Sequence, residues 1–212
     1  MSTVQKNKTL FYSVLTLVII HLAGVIGIKS SWSSLFLSLT PVNLMVCTAL
    51  FFINHKTKNT SFYLFAIVVF LCGFFVEVAG VATGKVFGVY TYGATLGLKL
   101  FAVPLVMGLN WLMLIYCAGC ICHQLKTNIV FKSITGAAML TALDILIEPS
   151  AMRYDFWNWA QSIIPIQNFI AWFVISFVLL LLFYKMDIEK NNALARPFYL
   201  VQLIFFALLT AI

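Results

Sequence analysis

The chain has 212 residues, of which 63% are hydrophobic and only 9% are charged, and its formal net charge is +7. Ordinary soluble domains are about a quarter charged, so this composition excludes a typical soluble protein and indicates helices in a membrane. The basic residues lie at the ends of apolar stretches and form no basic-aromatic patch, so nucleic acid is not an expected partner. We expect an all-α, polytopic membrane helical bundle that forms a single integral membrane domain over residues 1–212.

Apolar stretches long enough to cross a bilayer recur along the whole chain. About 20 helical residues cross a hydrocarbon core of about 30 Å. The first stretch is longer than the apolar region of a typical signal peptide and is expected to remain as a helix. Pro149 is expected to end the fifth stretch, because a proline disfavours helical geometry in the residue before it. Hydropathy predicts seven spans, at residues 10–28, 33–53, 62–83, 100–122, 128–148, 167–185 and 194–212.

The Lys and Arg residues are shared unequally between the two sides of these spans. Nine of the thirteen lie on the side of the N-terminus. The positive-inside rule therefore places the N-terminus in the cytoplasm of a multi-pass protein in the cell (inner) membrane. The nine residues are Lys6, Lys8, Lys56, Lys58, Lys126, Lys132, Lys185, Lys190 and Arg196.

Three of the six acidic residues fall within predicted spans or at their ends. Glu77 lies in the third span, and Asp144 and Glu148 lie in the fifth. Both spans run outward, so the three carboxyl groups are expected to meet in the outer half of the membrane. Acids at this depth are costly and usually functional. Burial disfavours the ionised form, so at least one is expected to be a neutral acid that can donate a proton.

Glycines share the helix face that carries Glu77. Gly73, Gly80 and Gly84 stand at helical spacing from it, and small residues at such spacing mark close helix packing. Glu77 is therefore expected to face protein. The loops 84–99 and 149–166 are rich in aromatic residues, which are candidates for the wall of a site or for an interfacial aromatic belt. The candidates are Phe87, Tyr90, Tyr92, Trp157 and Trp159, with Trp111 in the fourth span.

Other polar residues within the spans have two possible roles. His21 is a candidate proton relay, because the pKa of histidine is close to neutrality. His21, Asn43 and Asn110 are equally suited to interhelical hydrogen bonds. Cys117, Cys120, Cys122 and His123 lie close together in sequence, but no second His/Cys cluster completes a tetrahedral site, so no metal site is predicted.

The spaced residues between about 70 and 160 resemble the carotenoid 1,2-hydratases of the CruF type, a membrane family that also includes the hydratases of the bacterioruberin pathway. The resemblance rests on Glu77-x-x-Gly80-x-x-Thr83-Gly84-x-x-Phe87-Gly88-x-Tyr90-x-Tyr92, on Leu96-Gly97, Pro104 and Trp111, and on Asp144-x-x-x-Glu148-Pro149 with Trp157-x-Trp159.

This resemblance implies hydration of the 1,2 double bond at an acyclic ψ end of a carotenoid such as lycopene or γ-carotene, without a redox cofactor. The expected enzyme is a cofactor-independent hydro-lyase, with other carotenoid-pathway enzymes as expected partners. Glu77, Asp144, Glu148 and His21 are the candidate catalytic residues. Phe87, Tyr90, Tyr92, Asn110, Trp111, Trp157 and Trp159 are the candidates for substrate binding. The residues alone also fit a carotenoid cyclase, a non-catalytic lipid or carotenoid carrier, or a proton-coupled transporter.

Overall fold

The computed structural model describes residues 3–211, with side chains described from residue 8 onward. This part of the chain is a bundle of α-helices, which confirms the predicted fold class. The helices are α1 (Thr3–Ile28), α2 (Ser33–Ser38), α3 (Thr40–Asn54), α4 (Thr60–Thr83), α5 (Val106–His123), α6 (Ile129–Arg153), α7 (Ile166–Lys185) and α8 (Ala195–Ala211). Four short strands lie between them: β1 (Tyr90–Tyr92), β2 (Lys99–Leu100), β3 (Val103–Pro104) and β4 (Trp157–Trp159).

Five helices in the described part of the chain are long and apolar enough to cross a membrane. The apolar helices α3 and α8 are shorter, so the count of seven spans stays a prediction. The five segments are Lys8–Ile28, Thr60–Thr83, Val106–His123, Ile129–Arg153 and Ile166–Lys185.

The second predicted span, 33–53, is wrong as a single helix, because it is divided into α2 and α3 at Leu39. Pro41 stands in the first turn of α3, where its missing N–H needs no partner. The hydroxyl groups of Ser38 and Thr40 donate to the carbonyls of Leu35 and Leu37 at 2.8 and 2.7 Å. The break therefore follows from the local Ser-Leu-Thr-Pro sequence.

Two predicted span ends are also wrong. Helix α5 begins at Val106 instead of residue 100, because β2 and β3 form a hairpin whose turn residues Phe101 and Ala102 have φ of 52° and 65°. Helix α6 continues through Pro149 to Arg153. Contacts with α8 hold this last turn, since the Ser150 and Thr210 hydroxyl groups lie 3.1 Å apart and Arg153 donates to the Leu209 carbonyl. Tertiary packing therefore outweighs the proline signal.

Helix α5 is the centre of the bundle. It packs against α3, α4, α6, α7 and α8, and most of its side chains are buried. Helix α1 packs against α8 at the side of the bundle. Two helices that surround α5 carry acidic residues towards the end of the molecule where the four strands lie: α4 carries Glu77, and α6 carries Asp144 and Glu148.

Candidate active site

Glu77, Asp144 and Glu148 form a buried group that is called the carboxyl cluster below. Their side chains are 3%, 2% and 1% exposed. Glu77 comes from α4, whereas Asp144 and Glu148 stand one turn apart on α6. Each of the two α6 carboxyl groups interacts electrostatically with Glu77. The expected meeting of acids from distant parts of the sequence is therefore present.

Strands β1 and β4 pair antiparallel and form a two-stranded aromatic ribbon over the carboxyl cluster. Tyr90 pairs with Trp159, and Tyr92 pairs with Trp157. Alternate residues of a strand point to the same face of a sheet. The ribbon therefore presents its two tyrosines and two tryptophans together to the carboxyl groups.

Glu77 accepts three hydrogen bonds. The hydroxyl groups of Tyr90 and Tyr92 donate to its Oε2 at 2.6 and 2.7 Å. The indole Nε1 of Trp111 donates to its Oε1 at 2.8 Å. Burial, followed by the nearby Glu77 charge, raises the pKa of both tyrosines, so their hydroxyl groups keep their protons and remain donors.

The contact between Trp111 and Glu77 depends on the glycine of α4 that faces α5. A Cβ atom added at Gly73 would lie 2.3 Å from the Cβ of Trp111. No real side chain fits at that separation, so glycine allows the two helices to approach. The predicted close packing on this face of α4 is thus confirmed at Gly73.

Glu148 also accepts three hydrogen bonds, and they come from indole and amide groups. Trp157 and Trp159 donate through Nε1 to its Oε2 at 3.0 and 2.7 Å. The Nδ2 of Asn168 donates to its Oε1 at 3.1 Å. Sequence reasoning had grouped these two tryptophans with the tyrosines but had not divided them between the two acids.

Asn168 is a site residue that sequence reasoning missed. It is 2% exposed in the first turn of α7, and its Nδ2 also donates to Asp144 Oδ2 at 2.8 Å. One amide therefore bridges both carboxyl groups of α6. Asp144 accepts this single hydrogen bond among the described residues. A polar residue near the end of an apolar span was the signal that would have identified Asn168.

A second missed residue, Trp172, forms an aromatic wall with Trp111. The two indole rings are stacked with centroids 4.1 Å apart and planes inclined by 12°. Phe87 is 2% exposed and meets the ring of Tyr90 edge-on. Trp172 and Phe87, together with the ribbon, Glu77, Glu148, Met107 and Asn168, line a cavity of about 20 Å³.

No lysine or arginine forms an ion pair with the carboxyl cluster in residues 8–211, whose side chains the structure describes. Lys99 instead donates to the Tyr92 carbonyl at 2.6 Å, and Arg153 reaches the end of α8. The neutral donors of the ribbon thus take the place of cationic partners. Within the described residues, no group of three or more His, Cys, Asp or Glu side chains is arranged to hold a metal ion.

Two predicted site residues lie apart from this network. His21 Nδ1 donates to the Leu17 carbonyl at 2.8 Å, and His21 Nε2 lies 2.8 Å from Gln202 Nε2 on α8. The imidazole therefore connects α1 to α8. Asn110 is half-buried on α5 and has no hydrogen bond among the described residues.

Comparison with known proteins identifies the family. The sequence profile of the carotenoid biosynthesis protein family matches residues 33–212. A bisanhydrobacterioruberin hydratase of Haloarcula japonica is 29% identical over 153 residues, which cover 63% of this chain and 50% of that protein. The chain therefore spans about half the length of this curated relative. No solved structure matches. Because the family profile covers most of the sequence, including the whole carboxyl cluster and its donors, the chain belongs to the carotenoid biosynthesis protein family.

Proposed function

We propose that this protein is a carotenoid hydratase that adds water across the 1,2 double bond of an acyclic ψ end group. The observation that carries the proposal is the carboxyl cluster. Its three acids are buried without a paired cation among the described residues, and two of them, Glu77 and Glu148, line a small cavity. Membership of a carotenoid-pathway family and the hydratase name of the archaeal relative support the same chemistry.

The proposed reaction needs one proton donor and one oriented water. Protonation of carbon 2 converts the double bond into a tertiary cation at carbon 1. Water then forms the new C–O bond at carbon 1 and gives up one proton to a carboxylate. The proton that was added and the proton that is released balance, so the product differs from the substrate by one water. This addition involves no net oxidation or reduction, and the proposed reaction therefore uses no redox cofactor.

The small cavity is the proposed place of the water. A cavity needs at least about 10–15 Å³ of space for a water molecule, together with polar partners. The cavity of about 20 Å³ meets this size and has Glu77 and Glu148 in its lining. Each of these groups accepts three hydrogen bonds, which stabilise its ionised form. The two carboxylates are thus suited to orient the water and to take its proton.

Asp144 is the proposed proton donor. It accepts one hydrogen bond, whereas Glu77 and Glu148 accept three each. A buried carboxyl group with few donors is the one that keeps a proton at least cost, particularly beside two other acids. Asn168 holds Asp144 and Glu148 together, and is therefore proposed as a positioning residue rather than a reacting group.

The aromatic residues of the site are proposed to stabilise the cation and line the substrate path. An aromatic face contributes about 0.5–2 kcal/mol to a nearby desolvated cation. Trp172 is the best placed, because it lines the cavity and its ring is stacked against that of Trp111. Because the cavity is the size of a water molecule, the substrate end group requires the ribbon or the adjacent helices to move apart. The long polyene is expected to lie along the bundle in the inner membrane.

The experiment is expression in a host that makes lycopene, with growth in oxygen-18 water and mass analysis of the pigments. The protein is expected to give a 1-hydroxy carotenoid whose hydroxyl carries the label. A cyclase would give an unlabelled product of unchanged mass, and a carrier would leave the pigment unchanged. Either of these results would refute the proposal.

The variant Asp144→Asn tests the assigned proton donor. Its carbonyl oxygen can still accept from Asn168, so the fold is expected to be kept. Removal of a general acid lowers a rate by about 100-fold to 10,000-fold. The matched control is Asp187→Asn, since Asp187 is an exposed acid in the loop between α7 and α8. A folded Asp144→Asn protein with the hydration rate of this control would show that another group supplies the proton.

A further inference from the structure

A second cavity lies at the end of the bundle opposite to the carboxyl cluster. It has a volume of about 890 Å³, within the range of about 300–1,000 Å³ that is typical of ligand pockets. It opens where α3 and α5 end and where α8 begins. The charge distribution predicts that this end faces the cytoplasm.

All the charged side chains among the described residues that line this cavity, called the basic cavity below, are positive. Lys56, Lys58 and Arg196 contribute to it, and none of its described lining residues is an acid. None of the three cations forms an ion pair among residues 8–211, and the Lys58 ammonium reaches only the His55 carbonyl, at 3.3 Å. Three cations around one cavity, none of them in an ion pair, indicate an anionic ligand. Glu189, in the loop between α7 and α8, acts electrostatically on His55 and Cys120 of the lining but forms no ion pair among the described residues, and its Oε1 accepts a hydrogen bond from the backbone N–H of Asn191.

The floor of the basic cavity is held rigid by buried hydrogen bonds. The Nε2 of His55 lies 2.8 Å from the Thr57 carbonyl and therefore carries the ring proton. Its Nδ1 then accepts from the Tyr116 hydroxyl at 2.6 Å. The same hydroxyl accepts from Asn192 at 3.3 Å. This chain of hydrogen bonds holds the loop that carries Lys56 and Lys58 against α5 and against the segment that precedes α8, so this side of the site is ordered before a ligand arrives.

The remaining lining combines amide groups with apolar side chains. Asn54, Gln124 and Asn191 lie beside Leu10, Ile53 and Ile121. Ile53 is 57% exposed on the outer surface of α3. The cavity therefore joins a polar, cationic region to an apolar surface of the bundle. This combination suits an amphiphile whose anionic head enters the cavity while its apolar chains remain against the helices.

We propose that the basic cavity binds the phosphate headgroup of an anionic membrane lipid. Basic pockets between transmembrane helices on the cytoplasmic side are suited to such headgroups, because the cations, the ends of the helices and the lipid phosphates lie at the same depth. The N-terminus of α8 adds partial positive charge there, whereas the ends of α3 and α5 add partial negative charge, so the attraction for the anion comes from the three side-chain cations. This site is separate from the carboxyl cluster and does not depend on the proposed hydration.

The test compares the full chain with the double variant Lys56→Gln/Arg196→Gln and with the control Lys126→Gln/Lys185→Gln. The control removes two exposed cations at the same end of the bundle that do not line the cavity. Binding of phosphatidylglycerol to purified protein in neutral detergent is measured by native mass spectrometry, with phosphatidylcholine as the uncharged reference. Loss of two charge-assisted contacts is expected to weaken phosphatidylglycerol binding by roughly tenfold or more in the cavity variant alone.

A second arm uses inorganic pyrophosphate and follows the unfolding temperature. A stabilisation of the wild type and the control, but not of the cavity variant, supports the site and assigns it to soluble phosphate compounds if the lipid shows no preference. If the cavity variant does not fold, Lys56→Gln and Arg196→Gln are compared singly. Equal binding of lipid and pyrophosphate by cavity and control variants overturns the proposal, and so does binding of neither ligand by the wild type.

Discussion

The arrangement of donors around the two glutamates predicts that the same substitution has different effects on stability at the two positions. Glu77→Gln and Glu148→Gln each replace one carboxylate oxygen by an NH₂ group and keep the shape of the side chain. An NH₂ group donates and cannot accept. The result therefore depends on whether the neighbours of each glutamate can accept.

At Glu148 the two indole neighbours are pure donors, and the Asn168 amide faces it with its NH₂ group. If the new amide nitrogen takes the place of Oε2, it faces the indole N–H groups of Trp157 and Trp159. If it takes the place of Oε1, it faces the N–H of Asn168. With the Asn168 amide in its present orientation, either placement leaves buried donors opposed to one another. Burial of an unpaired donor costs about 1–3 kcal/mol, and we expect Glu148→Gln to lower the free energy of unfolding by this amount.

At Glu77 two of the three neighbours are hydroxyl groups. An amide nitrogen in place of Oε2 can donate to Tyr90 and Tyr92, because a hydroxyl oxygen also accepts. The amide oxygen in place of Oε1 still accepts from Trp111. The expected loss for Glu77→Gln is therefore about 1 kcal/mol or less. Both variants are expected to lose hydration, because each removes a carboxylate from the lining of the cavity that is proposed to hold the water.

The measurement is equilibrium unfolding of both purified variants in the same detergent, followed by circular dichroism. For a chain of this size, a loss of 1 kcal/mol lowers the unfolding temperature by about 2–4 °C. Equal stability of Glu148→Gln and the wild type would refute the reasoning. It would show that the Glu148 oxygen facing Asn168 carries a proton and that the Asn168 amide has the opposite orientation.

Three further predictions concern packing, the α6 proline and pH. Gly73→Ala is expected to lower the free energy of unfolding by about 1–3 kcal/mol and to reduce hydration, because the new Cβ would overlap the side chain of Trp111. The control is Gly24→Ala, whose Cβ would lie 3.2 Å from the edge of the Phe205 ring. Similar losses of stability in both variants would contradict the close approach at Gly73. Pro149→Ala is expected to leave the free energy of unfolding unchanged or to increase it, because α6 is continuous there and alanine restores a backbone N–H donor to the helix. A clear decrease in the unfolding temperature would show that the proline is needed. Burial lowers the pKa of His55 from its usual 6.5 in the folded state. The contribution of His55 to stability is therefore complete above about pH 6.5 and is lost as the pH falls from there through the lower folded-state pKa. His55→Gln is expected to flatten this decline, and identical pH profiles of unfolding for the variant and the wild type would argue against it.

The fold class and the meeting of the three acids were predictable from the sequence, and for the same reason. A bilayer restricts the choice of structure so strongly that apolar length identifies helices. The direction of successive spans then places acids at one depth. Glu77 and Glu148 could be brought together in this way without any knowledge of how α4 and α6 pack.

The breaks and ends of helices were less predictable, because local signals compete with tertiary contacts. Pro149 signals the end of a helix, yet α6 continues because its last turn is held by α8. The sequence also could not predict that the two tyrosines donate to Glu77 and the two tryptophans to Glu148. It depends on the pairing of β1 with β4, and these three-residue strands carry no recognisable signal in a membrane protein. Asn168 and Trp172 were missed because single polar or aromatic residues in a span have many ordinary explanations.

The antiparallel pairing of the ribbon also makes the site sensitive to whether a strand is shifted by an odd or an even number of residues. Only every second residue of β1 and β4 faces the carboxyl cluster, with Thr91 and Asn158 paired on the opposite face. An insertion or deletion that shifts either strand by one residue would turn that strand's two donors away together and present the wrong residues to the acids. A one-residue shift of β1 would therefore remove both tyrosine donors of Glu77, and a one-residue shift of β4 would remove both tryptophan donors of Glu148. A shift of the pairing by two residues would keep the same face of the strand towards the carboxyl cluster.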